Sequence, residues 1–128
     1  MPAPEDRFRR SVDRLTTLLS YWTPPRFSAA ASPSLADAAS AVSPAAMTPS
    51  PVEGGATVAG CLHLVVQALA DLGADAEGQP RRAVPRMAEP GTLVDQLTVL
   101  GNDLVAAGAD ASELDRLTDR LDALRSAL

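Results

Sequence analysis

Two runs of leucine at helical spacing dominate the last third of this chain. They are Leu93, Leu97, Leu100 and Leu104, then Leu114, Leu117, Leu121, Leu124 and Leu128. Alternating steps of three and four residues place these side chains along one side of an α-helix, which has about 3.6 residues per turn. Because Gly108 separates the runs, we predict a C-terminal helical hairpin over about residues 92–128, with its two apolar stripes packed on each other. Leucine stripes carry no reactive group, so they indicate an architecture and leave the function open.

Two further apolar stripes predict helices earlier in the chain. The first runs from about residue 4 to residue 22 and stops where Thr23 precedes two prolines, which disfavour helical geometry. The second spans about residues 56–72 and should end at Gly73; it is apolar around most of its circumference, so we expect it at the centre of the fold. No strand-like alternation is present. The predicted fold class is all-α, a small four-helix bundle with Pro/Ala/Ser-rich connections.

Proline and small residues divide the chain into three parts. We assign residues 1–25 to an N-terminal amphipathic helix, 26–53 to a loose Ala/Ser/Pro-rich linker and 54–128 to the helical core. One short helix is expected inside the linker, at about residues 34–42, where four apolar side chains share a face. Inside the core, residues 74–90 have a proline at every fifth position from Pro80 and should form an extended connection.

Composition narrows the class of protein. A length of 128 residues allows one small domain, and the net charge of −5 disfavours nucleic-acid binding. The apolar run from residue 54 to 70 is shorter than the roughly 20 residues that span a bilayer, and the arginine-rich N-terminus does not continue into a signal sequence. We therefore expect a cytoplasmic protein with no membrane partner. All eleven basic residues are arginine, which is typical of a GC-rich bacterial genome.

The sequence has no residue set typical of an active site. Cys61 is the only cysteine and His63 the only histidine, and their side chains diverge by about 200° around a helix. A zinc site or a Cys–His catalytic pair would need further members that the chain lacks. Asp115, Asp119 and Asp122 should lie on the solvated side of the last helix. We accordingly predict no enzymatic activity, no metal and no cofactor.

The exit of the first helix is the first candidate partner-binding surface. Within seven residues it gathers three of the four aromatic side chains and one arginine: Tyr21, Trp22, Arg26 and Phe27. Tryptophan, tyrosine and arginine dominate the energetic hot spots of protein interfaces. The ordinary explanation is that Trp22 and Phe27 close the end of the bundle.

The proline-spaced connection is the second candidate surface. It carries Arg81, Arg82 and Arg86, which would hold a phosphate, a carboxylate or an acidic protein surface, or would simply balance nearby acids. With these two surfaces and no catalytic set, the chain is expected to act as a protein-interaction or scaffolding module for a protein partner. The alternatives are a homo-oligomeric structural protein and a ligand-binding helical bundle with a pocket near His63.

Overall fold

A computed structural model describes residues 3–42, 57–85 and 89–128, and within these ranges the chain is helical without a regular strand. The helices are α1 (Pro4–Ser20), α2 (Pro24–Phe27), α3 (Pro33–Val42), α4 (Val58–Glu77), α5 (Pro90–Ala106) and α6 (Ala111–Ala127). An isolated bridge joins Ala30 to Thr57. The predicted all-α helical bundle is confirmed; beside the four main helices it contains the short helix expected near 34–42, as α3, and the unpredicted turn of helix α2.

Five of these helices close a ring around one hydrophobic core. Helix α1 packs against α5 and α6, α5 packs against α4, α4 against α3, and α3 against α6. Helix α2 touches α4 and contributes Phe27, which is buried. The ring buries one apolar face of each long helix, which is where most of its stability originates.

The two C-terminal helices are joined by a tight turn, as expected, but they do not pack directly on each other. Gly108 adopts a left-handed φ of 80° in the turn, and α1 then lies against both helices. Gly101 provides room for α1, because a Cβ added there would lie 3.3 Å from Cγ2 of Val12. The leucines are buried or partly buried, as predicted, in two helices whose packing partners are α1 and α4 for α5, and α1 and α3 for α6.

Polar contacts also join α1 to α6, and they correct the prediction that the aspartates of α6 face solvent. Arg7 forms an ion pair with Asp115, and Ser11, itself buried, donates to Asp122 at 2.8 Å. Both aspartates are half-buried, whereas Asp119 is exposed as expected. The spacing of α6 could not reveal this, because the partners come from a helix more than 100 residues earlier.

The segment predicted as a loose linker contains α3, which is one of the five helices of the ring. Helix α3 confirms the short helix expected at about 34–42, and it buries Leu35, Ala39 and Val42 in the core. Its first turn is capped by Ser32, whose hydroxyl accepts from the N–H of Leu35 at 3.1 Å. Of the remaining linker, residues 43–53 lie outside the described residues.

Helix α4 is longer than predicted and shortens the connection that follows it. It passes through Gly73, continues to Glu77 and ends at Gly78, whose φ of 68° suits a residue without a Cβ. Helix α5 begins at Pro90 rather than near Thr92. Proline is tolerated at the first helical position, because the N–H that it lacks would have no partner within the helix. Among the described helices, α4 alone has the length and hydropathy to cross a membrane; in this structure it contributes buried side chains to the core.

Candidate docking surfaces

The predicted aromatic residues come together where α1 ends. Pro24 and Pro25 start α2, and this single turn folds the chain back so that Phe27 meets Trp22 at a ring-centroid distance of 5.2 Å and an interplanar angle of 57°. The guanidinium carbon of Arg26 lies 4.0 Å from the centroid of the Trp22 ring. A tilted aromatic pair and a cation–π contact together hold Trp22 in one orientation.

An open groove of about 480 Å³, called here the aromatic groove, separates this cluster from the start of α5. Its first wall consists of Leu19, Ser20, Trp22, Pro24 and Phe27, and its second wall of Glu89, Gly91, Thr92, Val94 and Asp95. Phe27 is 4% exposed and serves as packing, while Tyr21 beside it is 83% exposed. Of the predicted aromatic residues, Phe27 is therefore a buried support, while Tyr21 is available for contact with a partner.

Two groove residues were missed by the sequence interpretation. Glu89 and Asp95 are exposed and make no ion pair within the described residues, so they give the second wall two uncompensated negative charges. The indole N–H of Trp22 on the opposite wall is buried and has no acceptor among the described residues. Sequence alone offered no signal for this juxtaposition, because the acids lie more than 60 positions after Trp22.

The predicted arginine surface is only partly assembled. Arg81 pairs with Asp75 through two hydrogen bonds, of 3.0 and 2.7 Å, and these bonds lower the pKa of Asp75 and raise the pKa of Arg81. Arg81 thus balances a nearby acid, which is the alternative given above for these arginines. Arg82 is exposed, and Arg86 lies outside the described residues.

Gln67 fastens this connection to α4. Its Nε2 donates to the main-chain carbonyl of Arg82 and to Oδ1 of Asp71, both at 2.9 Å, while its Oε1 accepts from the N–H of Val84 at 2.7 Å. Between the fastened segment, α4 and α5 lies a second open groove of about 510 Å³, called here the connection groove. It shares no lining residue with the aromatic groove.

The two residues considered for catalysis lie on α4 as expected. Cys61 is completely buried, and burial raises the pKa of its thiol, which disfavours the reactive thiolate. His63 is half-buried and lines neither groove. Within the described ranges, no group of three or more His, Cys, Asp or Glu side chains is placed to hold a metal ion.

Comparison with known proteins adds no family to these observations. The chain matches no protein-family model, and no curated protein or solved structure is significantly similar to it. The two grooves described above combine aliphatic or aromatic side chains with carboxylates at their rims. Such surfaces are suited to noncovalent recognition.

Proposed function

We propose that this protein is an interaction module that binds a segment of a partner protein in the aromatic groove. The observation that carries the proposal is the position of Trp22 at the wall of an open groove, where it makes a cation–π contact with Arg26 and a tilted ring contact with Phe27, with Tyr21 exposed beside it. Aromatic side chains that are already held in place lose little conformational entropy when a partner binds. They are also the residues on which interface binding energy concentrates.

The charges of the aromatic groove favour a partner segment with a lysine or arginine next to an apolar side chain. The apolar side chain would pack on Trp22 and Pro24, and the cation would approach Glu89 and Asp95 across the groove. Arg26 does not line the groove, and its guanidinium lies over the indole ring. Unpaired carboxylates at the rim speed association with a cation and disfavour acidic partners. The groove volume of about 480 Å³ matches the size of sites that hold a few side chains.

The experiment uses the full chain as bait in an extract of its native host, with the partner that it captures then purified for binding measurements. Trp22→Ala is the leading variant, because Trp22 lines the groove, and Tyr21→Ala removes the exposed ring beside the groove without loss of core packing. Trp22→Ala and the double variant Glu89→Gln, Asp95→Asn test the two walls. Each variant should lower the affinity for the purified partner at least tenfold. The double variant should also make that affinity depend less on salt concentration.

Val99→Ala is the matched control, since Val99 is 56% exposed on α5 and lines neither groove. Equal binding by the wild type, Tyr21→Ala and Trp22→Ala would overturn the proposal. Light scattering at two protein concentrations tests the homo-oligomeric alternative at the same time. A dimer that Trp22→Ala dissociates would assign the groove to a second copy of this chain and would contradict binding of a partner protein.

A further inference from the structure

We infer that the connection groove is a second docking site, which takes an extended peptide segment by main-chain hydrogen bonding to Ala83. The inference is independent of the aromatic groove, because the two grooves have no lining residue in common. Three features support it: the way Gln67 binds the connection, the unpaired main chain of Ala83, and the open floor beside Gly73.

Gln67 binds the connection in the manner of a neighbouring β-strand. Its amide group contacts the carbonyl of Arg82 and the N–H of Val84, the two groups that flank Ala83. In an extended chain these two groups point to the same side, and the residue between them directs its own N–H and C=O to the opposite side. A single side-chain amide thus occupies one edge of the segment and leaves the other edge to Ala83.

The outer edge is open at Ala83. This residue is exposed and lines the connection groove, and its N–H and C=O make no hydrogen bond with any described residue. Pro85 lies two residues further along this edge and lacks the N–H that longer pairing would need. A partner strand would therefore pair mainly with Ala83, and further affinity must come from its side chains.

The groove provides a place for one such side chain. Leu69, Ala70 and Leu100 give it an apolar lining. Gly73 has no side chain, and a Cβ added there would meet nothing within 4 Å. Addition of a strand to an exposed edge obtains affinity from main-chain bonds and specificity from such side-chain pockets.

The rim sets the charge of the occupant. Glu77 and Asp103 line the groove, as does the exposed Arg82, and none of the three is in an ion pair with a described residue. Two carboxylates against one guanidinium, on a chain of net charge −5, favour a neutral or basic segment over an acidic one. The occupant is thus an extended, neutral-to-basic segment of another protein, with an apolar side chain opposite Gly73.

The test begins with selection of peptides from a displayed random library against the full chain. Synthetic copies of the enriched peptides are then titrated by fluorescence anisotropy against two variants. Ala83→Pro removes the N–H from the open edge, and Gly73→Leu fills the groove floor. Each should weaken binding at least tenfold, and wild-type hydrogen exchange at the Ala83 amide should slow at least fivefold when peptide is bound.

Three matched variants give the controls. Ala83→Ser keeps the N–H, Gly73→Ala adds one methyl group in open space, and Trp22→Ala removes a side chain that does not line the connection groove; all three should retain wild-type affinity. The inference fails if no peptide is enriched, or if Ala83→Pro and Gly73→Leu bind as the wild type does. Peptides lost only with Trp22→Ala would also overturn it, while supporting the function proposed for the aromatic groove. Hydrogen exchange at Ala83 is measured in the wild type, so it tests the inference even if a variant is poorly folded. An Ala83 amide that exchanges equally fast with and without peptide would contradict the inference.

Discussion

The side-chain carbonyl of Gln67 accepts a hydrogen bond from the main-chain N–H of Val84 at 2.7 Å, joining α4 to a coil segment 17 residues further along the chain. The same amide donates to the carbonyl of Arg82 at 2.9 Å. Gln67 therefore has a structural role. These two bonds hold the connection against α4, beside the connection groove.

Replacement of Gln67 by methionine should release this connection. Methionine has a similar length and helix propensity but cannot bond to Arg82 or Val84, so we expect the free energy of unfolding to fall by about 1–2 kcal/mol. Urea denaturation measures the loss, and trypsin should cleave faster after Arg81 and Arg82. Gln96→Met is the control, because Nε2 of Gln96 reaches the carbonyl of Pro85 only at 3.5 Å. Equal effects of the two substitutions would contradict the role given to Gln67.

Arg116 should stabilise the end of α3. Its guanidinium is held by Glu113 and lies within 3.5 Å of the carbonyls of Ala41 and Val42, where the negative end of the helix dipole favours a cation. We expect Arg116→Met to lower the free energy of unfolding by about 1 kcal/mol. Faster hydrogen exchange in α3 would locate the change. Arg120→Met removes an exposed arginine from the same helix and should alter stability by less than about 0.5 kcal/mol; a loss as large as that of Arg116→Met would show that overall charge is responsible.

Two glycines in helix interiors should respond differently to alanine. The Cβ added by Gly73→Ala would have no other atom within 4 Å. This variant should therefore gain up to about 1 kcal/mol of stability from helix propensity and melt at a higher temperature. Gly101→Ala would place its Cβ 3.3 Å from Val12, so strain against α1 should cancel most of that gain. Differential scanning calorimetry of both variants checks the contrast. A clear stabilisation by Gly101→Ala would mean that α1 tolerates more separation from α5 than the structure indicates.

Cys61 should be unreactive in the folded protein. Its side chain is fully buried, and burial raises the pKa of the thiol, so iodoacetamide should modify it only after unfolding. Because the folded pKa exceeds the unfolded one, stability should decline as pH rises through the range where an exposed thiol ionises. Mass spectrometry of alkylated samples with and without urea measures the first effect. Rapid labelling of the native protein would contradict it, and Cys61→Ala serves as the unlabelled control.

Sequence periodicity predicted the helices best where the apolar pattern was long and uninterrupted, as in α1 and α6. The end of α4 was predicted five residues too early, at Gly73 instead of Gly78. A glycine inside a helix costs only about 1 kcal/mol, which the burial of its neighbours outweighs. Only at Gly78 does the backbone take the left-handed conformation that ends a helix.

The candidate sites were predictable to different extents. Tyr21, Trp22, Arg26 and Phe27 could be grouped from the sequence because one helical turn connects them. The opposite wall of the aromatic groove could not, since Glu89 and Asp95 come from another helix and carry no pattern that relates them to Trp22. Arg81 also resembled an available cation, and only the structure shows its pairing with Asp75.

The sequence by itself determined the long helical segments and the apolar face that each buries, because the spacing of apolar residues reports one face of a helix. It could not determine which faces meet, since one leucine stripe packs acceptably against any other apolar stripe. Tertiary structure decided that α1 packs against both α5 and α6, with Gly101 giving α1 close access to α5 and Ser11 and Arg7 bonding to α6. Close packing and paired polar groups depend on residues far apart in the chain, and such relationships exist only once it has folded.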